Sequence, residues 1–138
     1  MREILFRGKG DKKYNDGMWY FGVPILCYDG DWQICTDNSK RTVIPETIGQ
    51  YTGFKDKNGT KIFDGDIVLV PYIDPIFKCT WNDTSPCERA IVKHCNCMFY
   101  VEYIESGDKF ILSAMDGYMK IIGNIYDNKL EDFNNVTC

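Results

Sequence analysis

Short runs of aromatic and β-branched residues, separated by turn-forming clusters of Asp, Asn and Gly, recur along most of this 138-residue chain. The first clear pair of runs is Met18–Phe21 and Ile25–Tyr28, and the clusters Asn15–Gly17 and Asp29–Asp31 bound them. Strands favour such side chains, and tight turns favour residues that tolerate a positive φ. Turn clusters at intervals of about eight to twelve residues are typical of small barrels and sandwiches. The pattern therefore predicts a mainly β protein with little helix.

Two turn segments lie in the middle of the chain. Asn58-Gly59 is the strongest hairpin dipeptide of the sequence, because both residues tolerate a positive φ. Asp64-Gly65-Asp66 precedes a run of alternating β-branched residues, and a Gly-Asp pair of this kind opens the first strand of many SH3-like barrels. Asp64 and Asp66 could also form an acid–base or cation-binding pair on one strand face, but the intervening Gly favours a turn. These five residues are therefore predicted to have structural roles.

The strand runs fall into two groups along the chain. We predict an N-terminal β region over residues 1–60, packed on a C-terminal SH3-like β-barrel over residues 61–138. Prolines and a polar run interrupt the strand pattern at about 71–97, which predicts an irregular insertion there. No run of about 18 apolar residues occurs, and the charged N-terminus lacks the apolar region of a signal peptide. We therefore expect a cytoplasmic protein with no membrane span.

The chain contains seven cysteines, an odd number that predicts reduced thiols. Cys79, Cys87, His94, Cys95 and Cys97 are residues of the types that bind zinc. Their spacing differs from that of a zinc knuckle, and in an extended strand Cys95 and Cys97 would lie on one face about 7 Å apart. A Cys–His nucleophilic site would also need a third, orienting group, which the sequence does not suggest. We therefore predict no metal and no cofactor, with Cys87, His94, Cys95 and Cys97 as the zinc candidates.

Aromatic residues make up 14% of the chain, which is more than a small barrel easily buries. The simplest expectation is that they pack in the core and at the barrel ends. Trp and Tyr also supply large contact areas at low entropic cost in protein interfaces, so a protein-binding surface is the alternative. The candidate binding residues are Trp19, Tyr20, Trp32, Tyr51, Phe54 and Arg7.

The net charge of −4 disfavours a protein that binds nucleic acid through bulk phosphate neutralisation. Basic residues concentrate only near the N-terminus, at Arg2, Arg7, Lys9, Lys12 and Lys13. Gathered into one patch beside exposed rings, they would support the binding of single-stranded nucleic acid. A charged strand edge that resists aggregation is the simpler explanation of this basic group.

Three blocks of the sequence occur in a fixed order from one end to the other. They are Met1–Lys9 with Gly17, Trp19 and Gly22 behind it; Ile44–Gly59 continuing through Ile62–Val68; and Ile122–Asn128. Together they resemble the YopX family of small phage and prophage proteins, and the long middle block is the most specific. The stretch between Tyr72 and Cys97 departs from the family's usual short strand-turn-strand.

The resemblance implies a β-rich, cytoplasmic protein encoded by a phage or prophage, often an oligomer, with no assigned activity. With the residues above, it predicts an accessory protein that is not an enzyme and acts through protein–protein contacts. The expected partners are further copies of the chain or a host protein. A nucleic-acid-binding β-barrel module is the alternative, although the acidic balance disfavours a nucleic-acid partner.

Overall fold

The computed structural model of the chain describes residues 3–13, 17–71 and 87–128. The strands are β1 Phe6–Lys9, β2 Trp19–Leu26, β3 Trp32–Cys35, β4 Lys40–Val43, β5 Gly49–Lys55, β6 Lys61–Phe63, β7 Asp66–Pro71, β8 Cys87–Cys95, β9 Met98–Tyr103, β10 Lys109–Ile111 and β11 Lys120–Asn124. Two short 3₁₀ helices, Pro45–Thr47 and Leu112–Met115, accompany them. The predicted mainly β class with little helix is confirmed. None of the described helices has the length and apolar character needed to cross a bilayer.

The chain divides into two compact units, Met1–Gly53 and Phe54–Cys138. The first unit contains an antiparallel sheet with the strand order β4-β3-β2-β1-β5. Its long strand β2 pairs with β1 through Trp19–Gly22 and with β3 through Val23–Leu26, so it changes neighbour halfway along. Backbone hydrogen bonds also join the end of β1 to the end of β4, including Ile44 N–H to the Lys9 carbonyl at 2.9 Å. The sheet therefore curls strongly.

The inner face of the curled first sheet packs on itself, because side chains from one strand contact the backbone of another. Ile34 and Val43 are almost fully buried there. Gly8 and Gly22 contact them, and a Cβ atom on Gly8 would lie 3.0 Å from a methyl carbon of Val43. Two glycines in strands are costly on propensity alone, and close approach of neighbouring chains is the usual reason for them. The curled sheet thus uses glycine where its strands come closest.

The second unit contains an antiparallel sheet with the strand order β10-β9-β8-β7-β11, while β6 pairs with β5, whose last two residues belong to this unit. Alternate side chains of β7, β8 and β9 are buried together with residues of the second 3₁₀ helix and the segment that follows it. The cluster consists of Ile62, Val68, Val70, Ala90, Val92, Val101, Tyr103, Leu112, Met115 and Met119. In the described residues the pairings leave this sheet open, so the SH3-like barrel stays a prediction.

The predicted insertion at about 71–97 includes both described and undescribed residues. Residues 72–86, with Cys79, lie outside the described part of the chain. From Cys87 to Cys95 the chain forms β8, which pairs with β7 on one side and β9 on the other. Ala90 and Val92 of this strand are buried in the core cluster. This part of the stretch is therefore regular strand, held by packing on alternate residues.

Candidate protein-binding surface

The outer face of β2 carries a row of exposed apolar side chains. Phe21, Val23 and Ile25 alternate along the strand, so their side chains point to the same face. Their exposed fractions are 47%, 56% and 44%. Antiparallel sheets usually place polar residues on a face that meets solvent, and contiguous exposed apolar groups mark interaction sites. We name these three residues the apolar stripe.

On its β1 side, the apolar stripe is bordered by Arg7, which is buried. Arg7 of β1 is opposite Phe21 in the register, and Lys9 is opposite Trp19. The Arg7 guanidinium carbon lies 4.6 Å from the centroid of the Trp19 ring, and only 8% of the residue is exposed. A guanidinium over an indole face is a favourable cation–π arrangement. Arg7 thus contributes to the internal packing of this face, and the predicted basic group does not present it to solvent.

On the other side, the apolar stripe is bordered by neutral residues. Val23 is opposite Cys35 and Ile25 is opposite Gln33 on β3, and both neighbours are half-buried. On the edge strand β4, the exposed Lys40 is opposite Cys35. The centre of the face is therefore apolar, with neutral groups beside it on β3, the covered Arg7 beside it on β1 and the exposed Lys40 at its rim.

The predicted binding residues are spread over different surroundings. Trp19 shares the face of the apolar stripe and is half-buried, whereas Tyr20 points to the opposite face, with the Arg41 guanidinium carbon 5.7 Å from its ring centroid. Trp32, also half-buried, is opposite Leu26 on β2. Tyr51 is buried, and Phe54 packs against the core cluster of the second unit.

The apolar stripe itself was not among the residues predicted from sequence. A signal for it exists, because Trp19, Phe21, Val23 and Ile25 form an alternating apolar series. The intervening positions of β2 are apolar as well, however, and a period of two does not tell which face is the core when both faces are apolar. Which face of β2 points to the core became clear only from the burial of residues on the neighbouring strands.

The predicted turn residues occupy two tight turns of the second unit. Asn58 and Gly59 lie between β5 and β6, and Gly59 has a φ of +84°. Gly65 has a φ of +91° between Asp64 and Asp66. Asp66 is 1% exposed, and its carboxylate accepts a hydrogen bond from the Phe63 N–H at 2.8 Å. A buried carboxylate that closes a turn in this way has a structural role.

The zinc candidates in the described residues lie at the end of the β8–β9 hairpin. His94, Cys95 and Cys97 are exposed, and the His94 ring centroid is 5.0 Å from that of Phe99. Asn96 and Cys97 have φ values of 51° and 64°, so this cysteine pair does not lie on an extended strand. Within residues 3–13, 17–71 and 87–128, no three His, Cys, Asp or Glu side chains are placed to hold a metal ion. The side chain of Cys87 lies outside the described part of the structure.

Glu102 of β9 interacts with lysines from both neighbouring strands. It accepts a hydrogen bond from the ammonium of Lys93 on β8, and the Nζ atom of Lys109 on β10 lies 4.0 Å from its other oxygen. The hydrogen bond to Lys93 is the main cause that lowers the pKa of Glu102 below its ordinary 4.5, and burial opposes it. The same bond raises the pKa of Lys93 above 10.5.

We expect Glu102→Gln to reduce the loss of stability in acid. Because the pKa of Glu102 is lowered in the folded chain, its charge stabilises the fold above the ordinary value of 4.5, and this contribution disappears as the pH falls through the lowered folded value. Urea unfolding midpoints from about pH 7 to about pH 3 should therefore fall more steeply in the parent chain than in the variant. Glu105→Gln is the control, since that carboxylate is 73% exposed beside Arg89. Equal effects of the two substitutions would contradict the assignment.

Comparison with known proteins gives a family match and a fold match. A family model described as YopX protein matches residues 9–131. Among solved structures, the chain is similar to protein EF1440 from Enterococcus faecalis, with a TM-score of 0.53 and 18% sequence identity. That similarity covers 93% of this chain and 96% of the other, and at this identity it shows the fold alone. No significant match exists among curated proteins.

Proposed function

Because the chain belongs to the YopX family, we propose that it is a phage- or prophage-encoded accessory protein that acts through protein–protein contacts and has no catalytic activity. The proposed contact surface is the apolar stripe, and its proposed occupant is a second copy of the chain. The proposed location is the cytoplasm of a bacterial host, and the proposed form of the second unit is an SH3-like barrel.

The exposure of three alternate apolar side chains on one strand face carries this proposal. A two-fold symmetric interface uses the same patch on both subunits, so the patch must be complementary to itself. The apolar stripe meets that condition, because its centre is uncharged, neutral residues border it on β3, and Arg7 beside it on β1 is covered. A standard interface buries about 800 Å² on each partner. The apolar stripe would form its centre, with the half-buried neighbours around it.

The non-catalytic part of the proposal is supported by what the candidate acid–base groups do in the fold. Asp66 is buried and its carboxylate accepts a backbone hydrogen bond from Phe63. His94 is exposed on a hairpin, where its ring lies beside Phe99. General acid–base catalysis needs such groups aimed at a bound substrate. Asp66 instead holds a turn, and His94 lies near the end of β8, so neither has the surroundings of such a group.

Val23→Asp is expected to convert a dimer into a monomer. At a two-fold interface it places two unpaired carboxylates at the apolar centre, and their desolvation should weaken association by about a hundredfold or more. Size-exclusion chromatography with light scattering, over a range of protein concentrations, measures this. Leu26→Asp is the matched control, because Leu26 is 57% exposed on the same strand but points to the other face. It should leave the dimer intact.

Two results would overturn self-association through the apolar stripe. One is a parent chain that is monomeric at the highest concentration tested. The other is equal loss of the dimer in the Val23 and Leu26 variants, which would place the interface elsewhere or indicate general damage to the sheet. Circular dichroism of both variants distinguishes damage from a specific effect. A monomeric parent chain would make a host protein the occupant to test next.

A further inference from the structure

The tip of the β8–β9 hairpin holds two exposed thiols. Cys95 ends β8 and pairs with Met98, the first residue of β9, so only Asn96 and Cys97 connect the strands. Both cysteines are free and exposed. Neither side chain contributes to the core cluster of the second unit. Packing therefore does not explain why cysteine occupies both positions.

The turn brings the two cysteines closer together than a strand would. Asn96 and Cys97 have φ values of 51° and 64°, which are the left-handed conformations of a two-residue type I′ hairpin. A residue in this region holds the Cα atoms on either side of it about 5.4 Å apart, as the radius and rise of a helical path require. A disulfide requires Cα atoms about 4.4–6.8 Å apart and side chains that can turn toward each other. The Cα separation expected for this pair meets the first of these conditions, and the exposure of both side chains leaves them room to turn.

Cys97 occupies a position at which glycine is the usual residue. Type I′ turns favour Asn-Gly, because a side chain in the left-handed region is disfavoured. This chain has Asn96-Cys97 instead, although other tight turns of the second unit do use glycine, at Gly59 and Gly65. A cysteine at such a position, two residues from another exposed cysteine, points to a role for the thiol itself.

We propose that Cys95 and Cys97 form a dithiol site for thiol–disulfide exchange, with a low-molecular-weight disulfide as the oxidant. One cysteine thiolate attacks a sulfur atom of the oxidant, which forms a mixed disulfide and releases one thiol. The second cysteine thiolate then attacks the protein sulfur of the mixed disulfide and releases the second thiol. The two cysteines lose two electrons and two protons in total, and the oxidant is reduced to two thiols. The site is independent of the apolar stripe and of the proposed function.

Peptide mass spectrometry after equilibration in glutathione redox buffers tests the site. Trypsin cleavage after Lys93 and Lys109 gives a peptide, His94–Lys109, that contains both cysteines and no others. After oxidation and alkylation we expect this peptide to carry no alkyl group and to have a mass two hydrogen atoms below that of its unalkylated dithiol form. In Cys97→Ser the remaining thiol should stop at the mixed disulfide with glutathione, and Cys95→Ser should behave in the same way.

Three outcomes would overturn the proposal: alkylation of both cysteines under oxidising conditions, one glutathione on each cysteine, or a disulfide from either cysteine to a different peptide. Cys97→Gly supplies a folding control, because it removes the thiol and restores the residue that the turn favours. Circular dichroism should show the same fold for this variant as for the parent chain. A Cys97→Gly chain that lost its fold would show that Cys97 is needed for structure, and this too would contradict the proposed role.

Discussion

Gly22→Ala is expected to disrupt the sheet of the first unit. A Cβ atom at this position would lie 2.2 Å from the carbonyl oxygen of Cys35 and 3.0 Å from its carbonyl carbon. Both are backbone atoms of β3, and the pairing of Val23 with Cys35 holds that strand in place. Neither atom can move aside as the end of a flexible side chain would. We expect a loss of about 3 kcal/mol or more of the free energy of unfolding.

Hydrogen exchange measured on peptides from β2 and β3 checks this prediction, because it reports on the first unit separately. Gly30→Ala is the control. Gly30 has a φ of +93° and no atom within 4 Å of an added Cβ, so alanine there meets only backbone strain. That strain costs about 1–2 kcal/mol. Equal losses of protection in the two variants would contradict the close approach of Gly22 to β3 as the cause.

Asp56→Ala is expected to lower the stability of the second unit by about 3 kcal/mol. Asp56 is 7% exposed, and its Oδ1 atom accepts hydrogen bonds from the N–H groups of Asn58 and Thr60, each at 2.9 Å. Its Oδ2 atom accepts a third from the Ile121 N–H at 3.2 Å. Alanine would remove the acceptor of all three donors. The carboxylate therefore joins a turn to a strand far away in the sequence.

Urea unfolding of Asp56→Ala and Asp56→Asn measures how much of this effect comes from each oxygen. Asparagine keeps a carbonyl oxygen for the turn donors but replaces the other oxygen with an amide that faces the Ile121 N–H. We expect it to lose about half as much stability as alanine. A loss below about 1 kcal/mol for alanine would show that water replaces the carboxylate at all three donors. Identical losses for the two variants would contradict the separate role of the turn hydrogen bonds.

The surroundings of Asp56 show where local sequence information ends. The turn at Asn58-Gly59 could be predicted, because tolerance of a positive φ is a property of the residue type, and Gly59 adopts a φ of +84°. The position of Asp56 two residues earlier is also a local signal, since Asp commonly bonds the backbone two residues on. Its third hydrogen bond joins it to Ile121, which lies 65 residues away. Nothing in the neighbouring sequence indicates that contact.

The turn of the β8–β9 hairpin likewise depends on contacts that the local sequence does not indicate. Asn96-Cys97 lacks the glycine of the favoured hairpin dipeptides, so the sequence by itself does not show that a tight turn connects Cys95 to Met98. In the structure, β8 and β9 pair from Ala90 with Tyr103 to Cys95 with Met98. This ladder leaves only two residues for the connection, and both adopt a positive φ, as a type I′ turn requires. Strand pairing thus imposed the turn on Cys97, a residue type that does not favour it.

The amino-acid sequence alone determined that this protein is mainly β, where several of its tight turns lie, and that it belongs to the YopX family. Side-chain propensities and tolerance of positive φ act over a few residues, and family blocks are properties of the linear chain. Only the tertiary structure decided that Phe21, Val23 and Ile25 face outward. Both faces of β2 are apolar, so the core face is the one on which Gly22 lets β3 approach. That choice depends on the register between two strands, and a single strand carries no information about it.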